Sequence, residues 1–484
     1  MRKLKTRLLS AIILCVAVFC GSAKATNVDL QTAKQVGAFY YNVATGTKAP
    51  VSADNLKLVQ QIDNPTLCIP AIYAFNVAQG GFVVVSASDC AEPVLAYSPE
   101  GSLDPESINP ACQYMLDSYA RLVSDNQSNN AVQTIQLRNK WNELTEQTFS
   151  CDPASKGVLV QAKWDQGDND HPSYNIFCPK VGNKYTYAGC VAVAMAMIIH
   201  YWQYPLKGGN SNSSTASCPW NNTTIRYKFG VDSNKFIYDS MPKQINENSQ
   251  WNYKRAIGKL CFACGVTVKM DWGVDGSGTQ SQKVPGALSE WFRYSNAAEH
   301  LDRSRYSNTQ WINILHDEID NARPVYYSAH DPNGSGRDAA GHAFVISGAS
   351  SADHNKFYIN WGWGGGSNGF FTLNPASSIE TAGGYRFTAG HAMVYHIFPK
   401  NEGIEDNTAM TETAAYPNPA SDYLMIPADL PLNAILSVYS IDGKLIETKV
   451  IPGNTQEYRL DLQSYAPGAY VYRLNGAASK FTVR

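Results

Sequence analysis

The sequence predicts an α+β fold divided into three folded units, and three observations carry that prediction. Residues 187–200 form an uncharged run rich in Ala and Met, which reads as a helix buried on all sides. Far downstream, 342–346 and 357–360 are short apolar runs of strand length. From residue 414 the texture changes to short alternating strands separated by turns, which reads as a small β-sandwich.

Taken in order, the chain of 484 residues has a formal net charge of −2. That length allows several domains, and that charge gives no electrostatic case for nucleic acid or an anionic membrane as partner. Arg2, Lys3, Lys5 and Arg7 precede an apolar core, Leu8 to Cys20, and Ala23-Lys24-Ala25 offers a small-residue cleavage site. Residues 1–25 therefore read as a signal peptide. Phe19 is bulky where a lipoprotein signal wants a small residue before Cys20, which argues against lipidation. No later stretch is long enough to span a membrane, so the expectation is an exported protein, secreted or at the cell surface.

Eleven cysteines become nine once Cys15 and Cys20 are removed, which leaves room for some to pair in an oxidising compartment. Cys261 and Cys264 have redox-motif spacing, but they lie in an expected helix, Tyr253 to Val266, with no second pair. No metal and no cofactor are expected.

Residues 26–148 read as a small α+β domain. Asp29 to Tyr41 reads as a helix, Ile72 to Val77, Gly81 to Ala87 and Ala91 to Ser98 as strands, and the polar stretch Gln127 to Gln147 as a helix. The boundary to the next unit is expected between about 145 and 157. The central unit spans 149–398, a polar linker 399–413, and the β-sandwich 414–484.

The chemistry begins at Cys190. Gly189 precedes it, so a substrate backbone can pass close to the sulfur. A cysteine in the first turn of a helix faces unpaired N–H groups and the positive end of the dipole, which stabilise a thiolate. Taken alone, Cys190 reads as a buried structural cysteine, and it is the downstream residues that reverse that reading. A nucleophile needs a base and a group that orients the base. His200 lies ten residues along the same helix, about 15 Å away, out of reach. His342 opens an apolar strand after a glycine-rich loop. If that strand pairs with Phe357 to Asn360, the Asn360 side-chain oxygen can fix the imidazole, with Trp361 shielding the bond; otherwise Asn360 is a turn-former before glycines. Met270 to Gly278 is an aromatic and glycine-rich loop that reads as a substrate-binding wall built on backbone groups at Gly276 and Ser277. Gly341, beside the histidine, is a further substrate-binding candidate. Asp331 to Asp338 reads as a loop over the cleft.

These residues resemble the streptopain family of papain-like cysteine peptidases: Gly189-Cys190-Val191-Ala192, Gly341-His342-Ala343-Phe344-Val345-Ile346, and Asn360-Trp361-Gly362-Trp363-Gly364-Gly365. Trp164-Asp165-Gln166-Gly167, Pro324-Val325-Tyr326-Tyr327 and Gly369-Phe370-Phe371 extend the resemblance. It implies a papain-like core and a cysteine endopeptidase that hydrolyses protein and peptide substrates through an acyl-enzyme thioester. Gln166 and the Cys190 N–H would then face the developing oxyanion, one such donor being worth about 3 kcal/mol. The resemblance also implies that 26–148 is a propeptide that inhibits its own enzyme, making the chain a zymogen. The β-unit at 414–484 resembles the C-terminal sorting domain read by the type IX secretion machinery. The same Cys-His chemistry would also serve an amidase or acyltransferase, and a silent binding protein or peptidase inhibitor could use the same fold. A silent copy would usually have lost Cys190, His342 or Gln166.

Overall fold

The computed structural model describes residues 25–151, 158–209, 214–330, 341–373, 390–400, 415–428, 434–441, 445–451, 455–474 and 477–484. The expected signal peptide (but for Ala25), the loop at 331–338, residues 152–157 of the expected boundary and 401–413 of the expected linker lie outside the described residues.

In the N-terminal segment, α1 (Leu30–Thr45) starts where Asp29 takes the Thr32 N–H on its carboxylate, and it ends at Gly46, whose φ of 59° is left-handed. A meander follows: β1 (Leu56–Asn64), β2 (Ile69–Val77), β3 (Phe82–Ser86) and β4 (Val94–Ser98). Helices α2 (Pro110–Ser128) and α3 (Ile135–Thr145) complete it. The single helix expected over 127–147 is therefore two pieces. Asn130 turns the chain at φ 48°, and Thr134 restarts it by accepting the Leu137 N–H.

The central segment opens with two short strands, β5 (Lys180–Val181) and β6 (Lys184–Tyr185), then α4 (Cys190–Trp202) and the hairpin β7 (Ser214–Trp220) and β8 (Thr223–Phe229). Next come α5 (Trp251–Thr267), α6 (Val284–Trp291), β9 (Glu299–Asp302) and α7 (Asn308–Asp320). Strands β10 (Val325–Ala329), β11 (His342–Ala349), β12 (Lys356–Asn360), β13 (Gly369–Thr372) and β14 (Ala392–Tyr395) close it.

Ten strands from both segments form one sheet in the order β1-β2-β3-β4-β13-β12-β11-β10-β14-β9, every neighbour antiparallel. The seam is the pairing of Tyr97 with Phe370 and of Ala96 with Phe371. Side chains alternate between the two faces of this sheet. On one face Tyr326, Ala343 and Val345 pack with the buried helix α4 and with α5. On the other, Tyr327, Phe344, Ile346, Trp361 and Phe371 share one core with α7 and with Cys112, Met115, Leu116 and Tyr119 of α2. The N-terminal domain is thus joined to the central one by a sheet and by a common apolar core.

The C-terminal segment has β15 (Tyr423–Pro427), β16 (Ala434–Ser440), β17 (Leu445–Ile451), β18 (Glu457–Asp461), β19 (Gly468–Leu474) and β20 (Ala477–Val483). The sheets β15-β18 and β17-β16-β19-β20 close over Leu424, Ile426, Leu436, Val438, Leu460 and Phe481, a small β-sandwich as expected.

No disulfide forms among the described residues, so the cysteine pairing left open by the sequence does not occur there. Cys261 and Cys264 are fully buried in α5, and burial pushes the Cys261 thiol up to about 12, which leaves both as small apolar groups.

Candidate active site

Helix α4 sets the first half of the site. Val191 to Ile199 are all buried, as the charge-free run requires, and α4 packs on α5 and on β11. Gly189 caps the helix at φ 89°, and a Cβ there would lie 2.6 Å from the Met270 methyl and 3.1 Å from the Ser277 carbonyl oxygen. Only glycine serves both demands. Cys190 is the first helical residue and stays partly exposed.

His342 is the first residue of β11, beside Cys190, and each side chain shifts the titration of the other. Its Nε2 donates to the Trp361 carbonyl oxygen at 2.7 Å. A carbonyl only accepts, so Nε2 carries a proton and Nδ1 is left to face the sulfur. Burial pushes the Cys190 thiol up, but the hydrogen bond and charge of His342 and the N–H groups of Ala343 and Val191 outweigh it, and the thiol ends below its ordinary 9.0. Burial pulls the imidazole down, but Cys190 and the Trp361 carbonyl outweigh it, and His342 ends above its ordinary 6.5. The two shifts have one cause: each group favours the charged form of the other.

The expected bond between Asn360 and His342 is absent. Asn360 donates from Nδ2 to the Ala162 carbonyl at 2.6 Å, and its Oδ1 accepts the Gly362 N–H at 3.2 Å. The reason is register. Strands β11 and β12 pair Val345 with Asn360, so the same register carried onward puts position 363 opposite His342. The imidazole bond goes to the main chain of Trp361 instead.

The shielding role expected for the Trp361 ring also falls elsewhere. Its indole donates to the Ser367 carbonyl at 3.0 Å and packs on Phe344 and Phe371, inside the core. Trp363, at the position that register places opposite His342, sets its ring edgewise 6.0 Å from the imidazole. Strand register was the missed signal, in the second tryptophan of Trp361-Gly362-Trp363.

Gln166 is brought to the site by its backbone: its carbonyl accepts the Ala188 N–H at 2.9 Å, two residues before Cys190. Its side-chain amide has no hydrogen-bond partner among the described residues and is partly exposed. The loop at 271–278 docks on the same segment. Ser277 Oγ donates to the Tyr187 carbonyl at 2.7 Å and accepts the Gly273 N–H at 3.0 Å, while the Tyr187 N–H donates to the Gly273 carbonyl at 3.2 Å. Ser277 is thus a buried brace, whereas Gly276 is exposed with no atom within 4 Å of its Cβ position. Gly341 is exposed, against His330 and the Ala329 carbonyl. His200 is apart from all of these: it bonds the Met241 carbonyl at 3.1 Å between Trp164 and Tyr238, and burial lowers it to about 4.

Residues 164–371 match the Peptidase C10 family, 25–123 the Spi protease inhibitor family, and 414–484 the secretion system C-terminal sorting domain. Streptopain of Streptococcus pyogenes is 29% identical over 407 residues, 79% of this chain and 95% of its own. The thiol protease/hemagglutinin PrtT of Porphyromonas gingivalis is 27% identical over 395 residues, 79% of this chain and 43% of its own. A fragment of Prevotella intermedia prointerpain A shares the fold at TM-score 0.55 and 24% identity, covering 71% of this chain and 99% of that one. No helix among the described residues is long and apolar enough to cross a membrane, and the sorting domain sends the chain to the exterior or the cell surface. By these matches the chain carries a cysteine-type endopeptidase domain that is similar to the Peptidase C10 family and to streptopain, set between a segment similar to the Spi protease inhibitor family and one similar to the secretion-sorting domain.

Proposed function

We propose that the chain is an exported cysteine endopeptidase made as a zymogen, with 26–148 as propeptide and 149–398 as the enzyme. The observation that carries this reading is the pairing of Cys190, at a helix N-terminus with its pKa lowered by His342, with His342 itself, whose Nε2 is held by the Trp361 carbonyl. The Cys190 thiolate attacks the scissile carbonyl carbon, and the oxyanion forms against the Cys190 N–H and the Gln166 side-chain amide. Protonated His342 gives the Nδ1 proton to the leaving amine as the C–N bond breaks, which leaves a thioester. His342, now neutral, takes a proton from water as water attacks the thioester. The acid product leaves and the thiolate–imidazolium pair returns. Exposed Gly276 offers backbone groups to an extended peptide, with Ser277 holding that loop and Gly341 bordering the base.

The N-terminal domain supports latency by the way it is docked. Its β4 extends the enzyme's own sheet, Tyr119 donates to the Thr372 carbonyl at 2.8 Å, and the Tyr97 and Ser350 hydroxyls meet at 2.8 Å. Cys112 of α2 is buried in the same core as the Trp361 indole, whose N–H donates to the Ser367 carbonyl. Of these residues, Tyr119 and Cys112 sit in the core on the face of the sheet away from α4.

The test is to express the full chain and its Cys190→Ala variant, incubate one sample of each with casein, and treat a parallel sample with iodoacetamide to map the alkylated residue. The native chain should process itself, digest casein and carry the label at Cys190; the variant should stay full length and inert. Casein digestion by the variant, or a label that blocks activity from another cysteine, overturns the assignment.

A further inference from the structure

The base is held by a main-chain carbonyl, and a carbonyl is only as well placed as its peptide unit. Trp361 sits between two such units, and each is gripped by an asparagine. The unit that carries the Trp361 carbonyl also carries the Gly362 N–H, which Asn360 Oδ1 accepts at 3.2 Å. The unit before it ends in the Trp361 N–H, which Asn368 Oδ1 accepts at 3.0 Å. Because each peptide is planar and rigid, holding both N–H groups fixes the φ and ψ of Trp361, and so the direction of its carbonyl.

Both asparagines are buried, at 1% and 4% exposure, so these bonds do not compete with water. Asn360 is itself anchored, since its Nδ2 donates to the Ala162 carbonyl at 2.6 Å. Asn368 is used for its oxygen: its Nδ2 lies near the Tyr358 hydroxyl but outside hydrogen-bonding geometry with any described group. The loop between them can fold back to bring Asn368 onto Trp361 because Gly362, Gly364, Gly365 and Ser367 take left-handed φ of 68°, 62°, 85° and 59°. Polarisation adds to placement, because an N–H that is already hydrogen-bonded makes the carbonyl of the same peptide a better acceptor.

We propose that Asn360 and Asn368 are positioning residues that clamp the two peptide units flanking Trp361, so that its carbonyl holds the Nε2–H of His342. Asn360 thereby acts on the base through one peptide unit without touching it. This rests on the Cys190–His342 reading above. When the clamp is lost, the imidazolium loses its acceptor, its pKa falls, and the alkaline limb of the activity profile moves to lower pH. Substrate contacts are untouched, so KM stays.

The experiment uses full chains carrying Asn360→Leu, Asn368→Leu or Asn368→Asp, each processed by bead-bound native enzyme that is then removed. The kcat and KM for a peptide substrate are measured across pH, with the melting temperature as a folding control. Both leucine variants should lose roughly ten- to a hundredfold in kcat, the scale of a misplaced catalytic group. Their KM should hold within about twofold, with the alkaline limb displaced downward. Asn368→Asp keeps an oxygen on the Trp361 N–H, and its charge favours the imidazolium, so it should recover most of kcat with the alkaline limb at or above the native position. Folded leucine variants with native kcat and native alkaline limb overturn the proposal. Should the leucine variants not fold, a downward-shifted limb in Asn368→Asp overturns it by itself. Failure of the dyad reading shows separately, as alkylation that inactivates the native enzyme from a residue other than Cys190.

Discussion

The Thr372 hydroxyl donates to the Leu95 carbonyl at 2.9 Å, a bond between the last residue of β13 and the second residue of β4. Thr372 is fully buried, and its own carbonyl takes the Tyr119 hydroxyl. One central-domain residue is therefore gripped by a strand and by a helix of the N-terminal domain. An edge strand left bare invites pairing. In this chain the inhibitor-type domain fills that edge, and the seam runs beneath Phe370 and Phe371 next to the loop that holds the base.

The seam also buries charge. Lys140 binds Glu92 at 2.8 Å and lies 3.9 Å from Asp353, and Asp353 binds Lys356 at 2.7 Å; the Lys356 side chain is fully buried. Burial raises Asp353, but Lys356 and then Lys140 outweigh it, so its carboxyl is held below the ordinary 3.8. Lys356→Met should destabilise the precursor by about 3 kcal/mol or more, because Asp353 is left buried beside a distant partner. A depressed carboxyl contributes its stability above 3.8 and loses it as the pH falls through the folded value. The native precursor should therefore lose stability below 3.8 more steeply than Asp353→Asn. Denaturant melts across pH check both expectations.

The pH profile of the enzyme follows from the paired shifts. Alkylation of Cys190 by iodoacetamide should titrate below 9.0, and the alkaline limb of kcat/KM should lie above 6.5, since His342 must keep its proton to serve the leaving amine. In His342→Ala the thiol keeps its burial and loses its largest lowering influence, so its alkylation should titrate at higher pH than in the native enzyme. An unchanged titration would mean that the two groups do not act as a pair.

Deleting 414–484 should leave the purified peptidase active and stop its release from the cell. The β-sandwich has its own core of Leu424, Leu436, Val438 and Phe481, so the catalytic domain does not need it to fold. Activity measured in medium and periplasm of the native host decides: undiminished activity in the medium refutes the sorting role, and an unfolded purified product makes the sandwich part of the enzyme.

Cys190 and His342 are legible in the sequence because their surroundings are local. A glycine, an uncharged Ala/Met run and a strand-like run each declare themselves within a few residues. The roles of Asn360 and the two tryptophans are not, because they depend on β11–β12 register, and pairing Val345 with Asn360 is settled by the whole sheet. The same holds for the seam, where Tyr97 meets Phe370 across most of the chain. Strand β1 carries a partly exposed, polar edge pattern with no clean alternation, and α2 went unmarked because its apolar stripe serves a core shared by two domains.

That shared boundary gives the last prediction, which rests on Gly369. A Cβ at this residue would lie 2.8 Å from the Tyr97 carbonyl oxygen and 2.9 Å from both the Phe82 ring and Ser98 Cβ. These three nearest atoms all belong to the N-terminal domain. Gly369 is in ordinary extended strand, so alanine there strains no backbone. Gly369→Ala should therefore leave the processed enzyme with native kcat, KM and melting temperature, while the precursor pushes β4 away from β13. Overpacking of this kind costs about 1–3 kcal/mol, so the precursor should melt earlier and process itself several-fold faster at equal concentration. Melting curves and processing time courses of precursor and processed enzyme make the comparison. A processed enzyme damaged as much as the precursor would place the constraint inside the central domain, and a precursor of native stability would mean that β4 does not dock on β13 as described.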